Sequence, residues 1–295
     1  MMERDSKNGA AATLLGASSP LARKLRRDRF FQLGLALVAL VVLAALFAPW
    51  IAPHDPLVGD LRRAYLVPPG DRFLLGSDTQ GRDVLSRVLH GARLSLAVGI
   101  VSQSVAVSLG VTLGLLAGYY ERRVDAVVMR LADVTLAFPT LLLLIAVAAA
   151  VRPSLVVVFL LIGLVGWAGM ARIVRGQVLV LRRSEYVLAA RALGAPDRRI
   201  LLRHLLPNVR PQIVIAATLG MAGAIMAEAA LSFVGLGAQP PTPSWGAMVA
   251  DGRDLLRVAP WVSFAPGLAI GIAVLGFNLV GDGLREAWDP KLRER

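Results

Sequence analysis

The chain has 295 residues, 56% of them hydrophobic and 18% charged, with a mean hydropathy of +0.63. Aromatics are only 6%, so the apolar mass is Leu, Val, Ala and Gly, which excludes an ordinary soluble enzyme as the starting class and points to helices packed in lipid. The absence of cysteine excludes disulfide frameworks, thiolate zinc sites, iron–sulfur clusters and cysteine nucleophiles, and the formal charge of +12 requires either nucleic acid or membrane topology as its explanation.

A helix needs about 20 apolar residues to cross roughly 30 Å of hydrocarbon. Six stretches qualify: 30–54, 94–120, 134–151, 153–171, 211–250 (interrupted only by Glu228) and 258–281. The fold class expected is therefore an all-α polytopic membrane protein with six transmembrane helices. Residues 1–29 read as a cytoplasmic tail. The first apolar run exceeds the roughly 7–15 residues of a signal-peptide core. Pro49 and Pro53 also crowd any cleavage zone, so residues 30–54 are expected to remain as an anchor.

Residues 55–93 form the longest exterior loop, with a turn at Pro68-Pro69-Gly70-Asp71. Val84, Leu85, Val88 and Leu89 share one helical face there, and an interfacial helix along the membrane surface is expected. The stretch 78–83 lacks the alternating oxygen ligands and closing glutamate of a calcium loop, so Asp78 or Thr79 is read as a helix cap.

The core, 94–281, carries Gly110, Gly114 and Gly118 on one face of the second span, and Gly267 and Gly271 at the same spacing in the sixth. Both sets mark close helix contacts, within the chain or with a partner. Pro139 is expected to kink the third span. Glu228, the one carboxylate well inside a span, is open to two readings: a structural group satisfied by water or Ser232, or a pathway group that couples protons or touches substrate.

With the N-terminus inside, 23 of the 32 lysines and arginines fall in the segments assigned to the cytoplasm and nine in those assigned outside. Both termini, 1–29 and 282–295, are expected inside, and the basic charge needs no nucleic acid. The exterior loop's six arginines fit this count least well.

Enzymatic chemistry is poorly represented. The three lysines precede Asn8, Leu25 and Leu292, so there is no P-loop Lys-Ser/Thr pair; His54, His90 and His204 begin no zinc-binding H-E-x-x-H pair; and no G-x-S-x-G elbow occurs. No metal site, bound cofactor or catalytic residue is expected.

The informative segment is the polar stretch 172–210 between the fourth and fifth spans. Ser184 can cap a short helix, Glu185 suits its positive end, and Gly194 offers the left-handed residue that ends it. A second piece, 198–206, sets Ile200, Leu201, Leu205 and Leu206 against Arg198, Arg199 and Arg203 and is expected to stop at Pro207. This reads as an arm built to touch something in the cytoplasm.

Ala189-Ala190, three residues, Gly194 and a spacer to Leu206-Pro207 resemble the EAA loop of ABC importer permeases. Leu188 stands where a glutamate is usual and His204 where an isoleucine is common. The run 189–194, Ala-Ala-Arg-Ala-Leu-Gly, with His204-Leu205-Leu206-Pro207-Asn208 is similar to the dipeptide and oligopeptide (and nickel) branch.

The stretches 75–87, 228–237 running on to Pro243-Ser244-Trp245-Gly246, and 278–285 with Asp289-Pro290 strengthen the likeness to that branch's C-type permease subunit. The resemblance implies a type I ABC importer permease fold with a cytoplasmic coupling helix, a non-catalytic subunit in a bacterial cytoplasmic membrane. It also implies a second homologous permease, two cytoplasmic ABC ATPases that use ATP and Mg, and an extracytoplasmic peptide-binding protein.

On that likeness the coupling residues are Glu185, Ala189, Ala190, Gly194, Arg198, His204 and Pro207. The expected function is ATP-driven uptake of dipeptides or oligopeptides. Nickel or glutathione import is the alternative within the branch, and a proton-coupled secondary transporter using Glu228 is the alternative outside it.

Overall fold

The computed structural model describes residues 24–62, 64–151 and 154–288. Residues 1–23 and 289–295, which make up most of the first expected tail and half of the second and include Asp289-Pro290, lie outside the described residues. So do Arg63, Arg152 and Pro153.

The regular secondary structure of the described residues is helical apart from an isolated bridge between Ser77 and Asp83, with turns and loops between the helices. Helix α1 (Arg29–Ile51) starts at Asp28, whose carboxylate accepts from the N–H groups of Phe30 (2.9 Å) and Phe31 (3.2 Å). Two of the four N–H groups that a helix start leaves unpaired are thereby satisfied. Helix α2 (Val84–Tyr120) has 37 residues, about 55 Å at 1.5 Å per residue. Next come α3 (Arg122–Ala137), α4 (Thr140–Ala150), α5 (Leu155–Leu181) and the short α6 (Glu185–Ala192). The chain continues through α7 (Asp197–Phe233), α8 (Trp245–Gly252) and α9 (Trp261–Trp288). Five of these, α1, α2, α5, α7 and α9, are long and apolar enough to cross a membrane, and the bent pair α3–α4 makes the sixth candidate.

Several boundaries correct the sequence reading. The third apolar run is not one kinked helix: α3 and α4 meet at 89° across Phe138-Pro139. Proline pushes the residue before it out of the helical region, and Phe138 is extended at φ −94°, ψ 139°. The 11 residues of α4 reach only about 16 Å, so a crossing here needs both pieces.

Residues 84–93 are not a separate interfacial helix but the first turns of α2. The cap is neither Asp78 nor Thr79: Asp83 accepts from the Ser86 N–H at 2.9 Å. Asp78 instead closes the preceding turn, accepting from the N–H groups of Gln80 (2.8 Å) and Arg82 (2.9 Å).

The stretch 172–210 is not a loop throughout, because α5 runs on to Leu181 and α7 begins at Asp197. Pro207 does not stop the second piece. The turns just before it, Ile200–Leu205, are π-helical, with the Leu206 N–H bonded to the Leu201 carbonyl. A wide turn relieves the clash of a proline ring with the preceding turn, and the helix passes on through Pro211. Residues 282–288 likewise belong to α9 and not to a tail.

Three apolar clusters hold the bundle. The first joins α1, α2, α7, α8 and α9 around Trp245 and Phe277; the second joins α2, α5, α6 and α7 around Val174, Val187 and Leu205; the third joins α2, α4, α5 and α7 around Val98, Leu144 and Leu231. The outward face of α1 is apolar as well, with Leu33, Leu40, Leu43 and Leu46 about half exposed or more. Lipid accepts such a face where water would not.

The two ends of α2 define the two ends of the molecule. At its start lie residues 52–83 and α8, tied by hydrogen bonds from Trp245 Nε1 to the Val88 carbonyl (2.8 Å) and from Trp261 Nε1 to the Ser77 carbonyl (3.1 Å). At its far end lies α6. These are called the loop end and the arm end below.

Candidate functional site

The arm projects because α5 ends in a turn and not a cap. The Arg182 N–H still bonds the Val178 carbonyl (2.9 Å), and Nη1 of Arg182 reaches back to the Tyr119 carbonyl (3.0 Å) and Glu121 Oε1 (3.0 Å) at the end of α2. Ser184 does not cap α6 with its side chain; its hydroxyl donates to the Leu181 carbonyl at 2.5 Å. Glu185 occupies the first turn, where a negative charge complements the helix dipole. Gly194 stands at φ +77°, its N–H bonding the Arg191 carbonyl (3.0 Å), and the Ala195 N–H bonds the Ala190 carbonyl (3.0 Å). Those two bonds form a Schellman closure, which needs a left-handed residue between them.

One side of α6 is seated and the other is open. Val187 is fully buried against Ile200 and Leu205. Glu185, Ala189, Gly194 and Arg198 are exposed, and Ala190, His204 and Pro207 are half-buried. The large apolar residues Tyr186, Leu188 and Leu193 also face outward, Leu193 at 88% exposure. His204 sits beside Tyr186, ring centroids 6.3 Å apart. Of the residues singled out in the sequence, Glu185, Ala189, Ala190 and Gly194 thus lie on one short helix and its closure. Arg198, His204 and Pro207 follow on the start of α7.

The sequence reading missed the joint that fixes the arm. The Tyr119 hydroxyl donates to Asp197 Oδ1 at 2.6 Å, and the Arg191 guanidinium lies 5.3 Å from the centre of the Tyr119 ring. Position 119 is 78 residues from 197, and no local spacing signals that pair. On the neighbouring helices Asp125 of α3 pairs with Arg175 of α5, and Asp133 with Arg172 (2.5 Å), so the two carboxylates of α3 turn toward the second half of α5.

Glu228 lies at the other end of α7 and is fully buried. Its Oε1 accepts from the hydroxyls of Ser232 (2.6 Å) and Ser244 (2.7 Å), while Oε2 has no partner among the described residues. The Ser232 oxygen in turn accepts from the Ala238 N–H at 3.1 Å. The carboxylate therefore clasps the segment between α7 and α8 onto the end of α7. Close by, Gly246 lies against the backbone of Ala229 with no room for a side chain.

Gly110, Gly114 and Gly118 face α5: a side-chain carbon on each would meet Met170, Val174 and Val178 at 2.5–2.8 Å. Gly267 and Gly271, at the same spacing, meet nothing within 4 Å. The close approaches of α9 run instead through Gly276 against Val38 of α1 and Gly281 against Leu219 of α7.

Residues 110–294 match the family described as binding-protein-dependent transport system inner membrane component, and residues 20–69 match the N-terminal membrane domain of oligopeptide transport permease C. The chain is 45% identical over 266 residues to the di/tripeptide transport system permease protein DppC of Pseudomonas aeruginosa, covering 88% of each. It is 40% identical over 271 residues to the oligopeptide transport system permease protein OppC of Bacillus subtilis, 92% of this chain and 88% of that one. It is 43% identical over 275 residues to the glutathione transport system permease protein GsiD of Escherichia coli, 92% and 89% respectively.

Proposed function

We propose, from the premise that this chain belongs to the family of binding-protein-dependent transport system inner membrane components, that it is the membrane-spanning subunit of an ATP-driven importer of di- and oligopeptides. It is a multi-pass protein of the inner membrane and a transport subunit. Within the importer it contributes one half of a path between two related permeases. Two cytoplasmic ATPases supply the energy, using ATP and Mg, and a binding protein delivers peptide to the loop end from outside. The arm end, with both termini, faces the cytoplasm. Glutathione, a tripeptide, stays within the substrate range on the strength of the similar glutathione permease.

The observation that carries this reading is α6 itself. It is anchored by one buried valine and offers Tyr186, Leu188 and Leu193 outward at the end of the molecule. Exposed apolar side chains on a short helix fit a groove on another protein. Glu185, Ala189, Ala190 and Gly194 would meet the ATPase, the alanines permitting close approach, while Arg198, His204 and Pro207 would carry its movement into α7. The domain plan proposed keeps tail 1–29, anchor 30–54, the exterior loop from 55, a core with coupling segment 172–210, and a C-terminal tail, with two boundaries moved: residues 84–93 join the core as the start of α2, and residues 282–288 join it as the end of α9. Glu228 acts in this scheme as a clasp and not a proton carrier, because two serine hydroxyls already converge on it.

Isolation of the chain in mild detergent is expected to bring a second permease and ATPase subunits with it. Gly194→Val is expected to reach the membrane in normal amount but to lose at least about ten-fold of ATP-driven peptide uptake, since a β-branched residue disfavours φ +77°. The open space around Gly194 leaves that backbone strain as the main cause. Undiminished uptake by this variant, or a chain that transports alone on a pH gradient, would remove the assignment.

A further inference from the structure

The arm-driven mechanism leaves one feature of the loop end without a role. A cavity of about 440 Å³ opens between the start of α2, the end of α7 and the end of α8. Its polar lining includes Arg82, Arg87, Gln80, Gln239, Asp251 and Arg253.

The two arginine side chains are 6% and 5% exposed and share a single carboxylate. Arg82 Nε holds Asp78 Oδ2 at 2.7 Å, whereas Arg87 Nε is 3.5 Å from the same oxygen and has no hydrogen-bond partner among the described residues. Arg87 Nη1 donates to the Pro56 carbonyl at 3.1 Å, which fixes the guanidinium in place.

Asp251 feels both guanidiniums but makes no ion-pair contact among the described residues. Partial burial raises its carboxyl above the ordinary range, and Arg87 and Arg82 pull it back only in part, with Asp78 pushing the same way as burial. The cavity is thus lined by two buried guanidiniums, one of them with an unused donor, and by the exposed pair Asp251 and Arg253, of which Asp251 makes no ion-pair contact among the described residues. A buried donor left without a partner, as Arg87 Nε is among the described residues, is costly unless something else meets it.

We propose that this cavity is a subsite for the zwitterionic ends of a short peptide, with Arg87 and Arg82 taking the terminal carboxylate and Asp251 the terminal ammonium. The proposal rests on the peptide-import reading above. Guanidinium groups bind carboxylates through directed, charge-assisted bonds. The volume lies within the roughly 300–1,000 Å³ usual for small-molecule sites. Gln80 and Gln239 offer neutral donors and acceptors for peptide groups between the ends. Recognition of the termini alone leaves side chains unread, as suits a path that passes many sequences.

The test uses the full chain purified with its accompanying subunits, binding protein omitted, and equilibrium dialysis of radiolabelled trialanine. Saturable binding is expected, with N-acetyl-trialanine and trialanine amide each competing at least about ten-fold more weakly. Asp251→Asn should equalise trialanine and its N-acetyl form while the penalty for the amide persists. Asp251 is an exposed residue at the end of α8, so this variant is not expected to disturb folding. Absence of saturable binding, equal competition by all three peptides, or an unchanged N-acetyl penalty in Asp251→Asn would overturn the subsite. ATP-driven uptake of trialanine by the wild-type complex reads the import function separately. Intact uptake with no charge requirement overturns the subsite alone, and absent uptake with absent binding overturns both readings.

Discussion

Glu228 is paired through one oxygen only. Ser232 and Ser244 both donate to Oε1, so the carboxylate fastens two points that are 12 residues apart in the chain. Glu228→Gln keeps a carbonyl acceptor at that point and is expected to retain ATP-driven uptake within about two-fold. Glu228→Ala removes the acceptor of both serine hydroxyls, leaving them 3.3 Å from one another with only the Ala238 N–H still on the Ser232 oxygen. A loss of about 1–3 kcal/mol is expected for such a buried deletion, read as a lower thermal midpoint of the purified protein. A Gln variant that is fully folded yet unable to transport would instead give the carboxylate a part in the path. The sequence singled out this residue as a carboxylate inside a span, but its partners lie 4 and 16 positions away, and only Ser232 was within reach of helical spacing.

At the scale of elements, the seam between α2 and α5 depends on three glycines that let the two backbones approach. Gly114→Leu would place a side chain where Val174 and the Ala171 carbonyl already stand. Forced overpacking of this kind costs about 1–3 kcal/mol. The variant is expected to give less folded protein in the membrane and a lower midpoint in detergent. Gly267→Leu, facing open space, is expected to leave both unchanged. Equal effects of the two substitutions would show that the seam is not the reason for the glycines. The π-helical turns ahead of Pro207 belong at this scale too, since they let α7 run from the arm to the loop end as one element.

Across the whole molecule, the arm is joined to the bundle by a few contacts among the described residues, and the proposed coupling would have to pass through them. Val187 is seated in the cluster under α6, Tyr119 holds Asp197 and lies beneath Arg191, and Arg182 binds the end of α2. Tyr119→Phe removes one hydrogen bond and keeps the ring. In the assembled importer it is expected to preserve ATPase association and hydrolysis while lowering peptide taken up per ATP several-fold. Unchanged stoichiometry would mean that the joint is passive.

The sequence by itself determined the class of the protein: long apolar runs can be satisfied only as membrane helices, and the polar, glycine-closed stretch around 184–194 could only be a short exposed helix. Period and turn chemistry are local, so they were legible. Tertiary structure decided what local spacing cannot encode. Gly110, Gly114 and Gly118 carry the same signal as Gly267 and Gly271, yet only the first set meets a neighbouring helix. Pro139 breaks a run that Pro207 leaves continuous, because one lies at an 89° turn and the other follows π-helical turns that accommodate its ring. Tyr119 is bonded to Asp197, and Arg87 and Asp251 line one cavity, through the packing of helices distant in the chain, and no residue carries in its own neighbourhood the address of a neighbour so far away.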